Sequence, residues 1–103
     1  MLATQHNAWI HAAATVLAII VGVVLGFDRA DWCWIVLAIA IVWMAEAMNT
    51  ALELLADVAS PEFHPLVEKA KDVAAGAVLI CAAASVVLGL LIVIPHIQQL
   101  ASR

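Results

Sequence analysis

Glu46, Asn49 and Glu53 stand at spacings of three and seven inside an otherwise apolar run from Trp32 to Val58. At about 100° per residue these side chains project within roughly 60° of one another, and Asp57 extends the same stripe. An ionisable group at membrane depth is costly unless it faces a protein interior or a watery cavity, so a polar seam on an apolar helix marks a functional site. The carboxylates could accept protons or hold a hard cation. Asn49 admits two readings, a hydrogen bond to a neighbouring helix or a share in the chemistry. Glu46 lies about two turns deeper than Glu53, where a purely structural carboxylate is hard to justify.

The elements that position this seam are membrane helices. The chain has 103 residues, 67% apolar and only 12% charged, which is the composition of a single-domain membrane protein. Ala12 to Phe27 and Val73 to Pro95 carry no charge, and Trp32 to Ala45 carries none before the seam begins. A spanning helix needs about 20 mostly apolar residues. The pattern therefore predicts an all-α bundle of three transmembrane helices over about residues 10–27, 32–58 and 67–95. No basic leader precedes the first stretch and no A-x-A-like site follows it, so it is expected to remain in the mature protein.

The net charge is −4, and Arg29, Lys69, Lys71 and Arg103 are scattered, which gives a nucleic-acid partner no support. The two lysines beyond the second connection weakly favour a cytoplasmic location for it. Cys33 and Cys81 lie in apolar runs without metal-ligand spacing and read as core or lipid-facing residues.

Residues Met1 to His11 read as a short polar lead-in to helix one. Gly26 and the Asp28-Arg29-Ala30-Asp31 connection make helices one and two an antiparallel pair, with Asp31 expected to cap helix two. Trp32 and Trp34 suit an interfacial aromatic belt. Pro61 and Pro65 block continuation of helix two, and helix three is expected to begin near Leu66 or Val67. His64 and His96 read as solvated loop residues. Small residues from Ala74 to Ala77 allow close helix packing in lipid. Reversal of the chain brings Glu53, Asp57, Lys71 and Asp72 to similar depths, where carboxylates and a lysine could form a metal and phosphate site. On composition alone the favoured reading of Lys71 and Asp72 is as interfacial residues that snorkel to water.

The ordered runs Ala45-Glu46-Ala47-Met48-Asn49-Thr50-Ala51-Leu52-Glu53, Ser60-Pro61-Glu62-Phe63-His64-Pro65 and Ala70-Lys71-Asp72-Val73-Ala74-Ala75-Gly76-Ala77 resemble the small bacterial diacylglycerol kinase and undecaprenol kinase family. The resemblance covers nearly the whole chain, including Asn7 and Ile10-His11. The Pro61 to Pro65 loop looks more like the undecaprenol kinase branch. What the resemblance implies is a homotrimer in the bacterial inner membrane. It would transfer the γ-phosphate of ATP, with Mg²⁺, to a membrane lipid alcohol, undecaprenol or diacylglycerol, at sites facing the cytoplasm between subunits. The family's general base maps onto Glu46 and its active-site asparagine onto Asn49. Its nucleotide contacts map onto Glu62, Phe63, His64, Lys71 and Asp72, and a metal-binding glutamate maps onto Glu53. Gln5 stands where a second metal-binding glutamate is usual, and Trp9 where a basic residue is common. The family's N-terminal surface helix is expected to be lacking ahead of the first span. Two other readings stay open on the residues alone: a kinase-like trimer that binds lipid or nucleotide without turnover, and a proton- or ion-conducting bundle.

Overall fold

A computed structural model describes residues 2–103, with side chains from residue 8 onward. Three helices account for nearly all of it: α1 (Leu2–Leu25), α2 (Arg29–Ala59) and α3 (Pro65–Ala101). All three are long and apolar enough to cross a membrane, so the chain is a multi-pass membrane protein. At about 1.5 Å per residue α2 and α3 exceed the roughly 30 Å hydrocarbon core, and their ends project into headgroups or water. The molecule is accordingly 61 Å long and about 20 Å across.

Gly26 ends α1. Its φ of +73° is open to glycine at little cost, and the amides of Gly26 and Phe27 both close on the Gly22 carbonyl at 3.0 Å. Gly22 also lets α2 approach closely, since a Cβ there would lie 2.6 Å from the Trp32 ring. Asp28, and not the expected Asp31, is the N-cap of α2. The two residues form a reciprocal capping box, with the Asp31 amide donating to Asp28 Oδ1 at 2.9 Å and the Asp28 amide donating to Asp31 Oδ2 at 3.2 Å. The first acidic residue takes the cap because its extended backbone leaves the helix, while Asp31 already sits in the first turn.

The helix bounds differ from the sequence expectation at both ends of the chain. The lead-in is not a separate turn, because α1 is helical from Leu2. Helix α3 does not stop at Pro95 but runs through it to Ala101. Proline removes one helical donor but leaves the rest of the hydrogen-bond ladder in place, and the helix persists. His96 helps to hold it there. It is a helical residue, not a loop residue, with Nε2 2.9 Å from Asp31 Oδ2 and its ring 5.3 Å from that of Phe27.

Helices α2 and α3 pack antiparallel along most of their length, tied from one end to the other by Asp31 to His96, the Ala38 carbonyl to Ser85 Oγ, and Asp57 to Lys71. Helix α1 packs more lightly. Besides the Trp32 ring on Gly22, its links to α2 include polar ones: His11 meets Glu46, and the Trp43 indole N–H donates to Thr15 Oγ1 at 2.9 Å. Among the described residues the apolar core is limited to Phe27, Ile35, Ala38, Ala56 and Val78, and most large apolar side chains face outward. An outward apolar surface is stable in lipid, where it gives up no contact with water.

Candidate active site

The 3.6-residue period of α2 carries Glu46, Asn49 and Glu53 onto its inner face, as the spacing requires. Glu46 is only 4% exposed and Asn49 only 6%, so a single chain already encloses the deep half of the seam. Glu53 is half-buried and Asp57 is exposed. The seam thus grades from a buried carboxylate to a wet one over three turns.

Each buried polar side chain is half satisfied. Glu46 Oε2 lies 3.3 Å from His11 Nε2, while Glu46 Oε1 has no hydrogen-bond partner among the described residues. Asn49 Nδ2 donates to Glu53 Oε1 at 3.2 Å, while Asn49 Oδ1 is likewise unpartnered. A buried oxygen without a donor costs about 1–3 kcal/mol, more when charged, and native proteins carry few of them. Two such oxygens one helical turn apart point to a ligand with donors or positive charge.

A groove of about 460 Å³ runs beside the seam, lined by Ala8, Trp43, Glu46, Ala47, Thr50 and Leu54 among others. The alanines leave room for it. Its wall is almost wholly apolar apart from Glu46 and Thr50, which suits a lipid whose polar group must meet one carboxylate.

At the other end of the seam, Lys71 Nζ lies 3.5 Å from Asp57 Oδ1 and 3.9 Å from Glu68 Oε1. Exposed pairs of this kind are worth about 0–1 kcal/mol, so they leave the lysine easily recruited by a stronger anion. Glu62 and Asp72 are exposed, and Phe63 is 78% exposed with its ring in the connection. His64 is exposed but not merely solvated. It is the N-cap of α3, its Nδ1 accepting from the Leu66 amide at 3.2 Å, with Pro65 following in the first turn. Of the residues singled out from sequence, then, Glu46, Asn49 and Glu53 share one face of α2, with Asn49 bonded to Glu53. Lys71 joins Asp57 at its water-facing end, and Glu62, Phe63, His64 and Asp72 surround the connection beyond. Gln5 is in the first turns of α1, but its side chain lies outside the described residues.

His11 is the site residue that the sequence reading missed. Its partner is 35 positions away. The available signal was a histidine one turn ahead of Thr15, which gives the start of an apolar helix a polar edge.

Among the described residues no three His, Cys, Asp or Glu side chains cluster closely enough to hold a metal ion alone. Magnesium does not require that, since it is commonly held by one or two carboxylates together with substrate phosphates and water. The donors here are all oxygens: the Glu53 carboxylate and, beside it, the unpartnered Asn49 Oδ1. That donor set fits a hard divalent cation.

Residues 1–93 match the family described as prokaryotic diacylglycerol kinase. The chain belongs to this family. It is therefore a lipid kinase, a phosphotransferase acting on an alcohol. Among its relatives, the undecaprenol kinase of Bacillus subtilis (strain 168) is 38% identical over 94 residues, which cover 91% of this chain and 76% of that protein. The diacylglycerol kinase of Synechocystis is 35% identical over 99 residues, 95% of this chain but 57% of that protein. The diacylglycerol kinase of Escherichia coli (strain K12) is 30% identical over 87 residues, covering 78% and 71% of the two chains. No solved structure matches the chain significantly.

Proposed function

We propose that this kinase transfers the γ-phosphate of ATP to a membrane lipid alcohol, with Glu46 as general base. The observation that carries the reading is the state of the Glu46 carboxylate: buried, one oxygen against His11, the other unpartnered beside an apolar groove. A lipid hydroxyl entering that groove would donate to Oε1. The hydroxyl oxygen attacks the γ-phosphorus, forming the new O–P bond as the bond from phosphorus to the β,γ-bridging oxygen breaks and ADP departs. The hydroxyl proton passes to Glu46 Oε1. A positioned base contributes about 10²–10⁴ to such a transfer.

The nucleotide belongs at the wet end. Glu53 lies about 10 Å along the helix axis from Glu46, and Lys71 supplies a cation for phosphate charge near the connection that carries Glu62, Phe63 and His64, with Asp72 one residue on. Glu53, with Gln5 at the second position, would hold Mg²⁺. The chemistry such an ion would supply is neutralisation of phosphate charge. Asn49 orients the Glu53 carboxylate through its Nδ2 and can offer Oδ1 to the same ligand.

Undecaprenol is the preferred substrate in this reading and diacylglycerol the second. The similarity to the Bacillus subtilis undecaprenol kinase is the higher in identity and spans 76% of that protein, against 57% of the Synechocystis diacylglycerol kinase. We further propose a homotrimer in a bacterial inner membrane, with the second connection cytoplasmic. Supporting this are the thin core of a single chain, the half-open Glu53, and the two lysines beyond that connection.

Replacing Glu46 by Gln keeps the shape of the side chain and removes its basicity. Phosphate transfer should fall by about 10²-fold or more, with nucleotide affinity and assembly nearly unchanged. Turnover equal to that of the parent protein would show that Glu46 is not the base.

The metal reading predicts that Gln5→Glu, by supplying a second anionic ligand, makes activity saturate at lower Mg²⁺. A Mg²⁺ titration at fixed ATP checks this, and an unchanged or weaker metal dependence would remove position 5 from the metal site. For the assembly, native mass spectrometry in mild detergent should give the mass of three chains. A monomer that turns over at the full rate would contradict a site shared between subunits.

A further inference from the structure

We infer that His11 is the positioning residue for Glu46, fixing which carboxylate oxygen receives the substrate proton. This rests on Glu46 being the base. His11 and Glu46 side chains are 13% and 5% exposed, and Nε2 faces Oε2 at 3.3 Å. With its proton on Nε2, the imidazole donates to Oε2. A carboxylate held by one donor cannot rotate freely, so Oε1 remains directed away from His11 and toward the ligand.

Trp43 steadies both the imidazole and the backbone that carries it. The Trp43 ring meets it edge-on, with centroids 6.0 Å apart and planes at 62°. The Trp43 indole N–H donates to Thr15 Oγ1 at 2.9 Å, and the Thr15 hydroxyl donates to the His11 carbonyl at 2.7 Å. Trp43 lies one turn before Glu46 on α2, and Thr15 one turn after His11 on α1. Together with the His11–Glu46 pair, these contacts tie α1 to α2 beside the base. Trp43 also lines the groove beside Glu46, whereas His11 lines a separate cavity of about 360 Å³ among the three helices. His11 therefore acts from behind the carboxylate and does not meet the substrate. Its loss should alter the rate of transfer rather than the binding of either reactant.

The test compares His11→Ala, His11→Gln and Glu46→Gln, singly and as the double variant His11→Ala with Glu46→Gln. All are assayed with labelled ATP and mixed micelles containing undecaprenol or dioleoylglycerol, using whichever alcohol the parent protein phosphorylates faster. His11→Ala should lower kcat on the order of tenfold to a hundredfold, a fraction of what a positioned base contributes, with KM for ATP and lipid within about twofold. His11→Gln, whose amide N–H can replace Nε2–H, should recover most of that loss. The double variant should be no slower than Glu46→Gln alone, as expected of residues acting as one unit. Nitrogen-15 spectra of the labelled histidines in the parent protein should show the His11 proton on Nε2. Full kcat in His11→Ala, no recovery in His11→Gln, or a bare Nε2 would overturn the proposal while an inactive Glu46→Gln left the base reading intact. An active Glu46→Gln would overturn both.

Discussion

The structure depends on the cost of keeping a carboxylate inside an apolar bundle. Glu46 is buried at a depth where water is scarce, and a charged group there needs a partner, a ligand or a cavity. His11 supplies the partner for one oxygen, and α1 is thereby tied to α2 by polar contacts as well as by the packing of Trp32 on Gly22. The other oxygen is left for a ligand. Stability and function thus compete at a single side chain, a common condition at sites whose local rules are broken for chemistry.

Depth sorts the reactants. In the proposed mechanism a lipid hydroxyl meets Glu46 from the apolar groove, and nucleotide phosphates lie toward Lys71, which is only weakly engaged by Asp57. The graded seam from Glu46 through Asn49 to Glu53 connects the two levels along one helix face. A bundle built only for ion conduction would need neither the apolar groove nor the weakly held lysine, and family membership assigns the chain to the lipid kinases.

Much of this is legible in the sequence because it follows from periodicity. The apolar runs define three spans, and spacings of three and seven place the seam on one helix face. What escapes is set by competition or by distance. Asp28 and Asp31 are both good caps, and only backbone geometry decides that the first takes the role and the second answers it. Pro95 is an ordinary stop signal, yet α3 runs past it, with His96 bonded to Asp31 at the start of α2. His11 and His96 acquire partners 35 and 65 residues away, which no local pattern encodes. Periodicity is equally silent on how far one chain encloses its own seam, and three helices suffice to bury Glu46 and Asn49.

The central claim is that phosphate moves from ATP to a lipid hydroxyl at this seam. The purified protein in vesicles, given γ-labelled ATP and a panel of undecaprenol, shorter polyprenols and diacylglycerol, tests it most directly. The account predicts label on a lipid alcohol, with undecaprenol labelled faster than diacylglycerol, and no label on the corresponding deoxy or methyl-ether analogues. Nucleotide binding without label on any alcohol would contradict it.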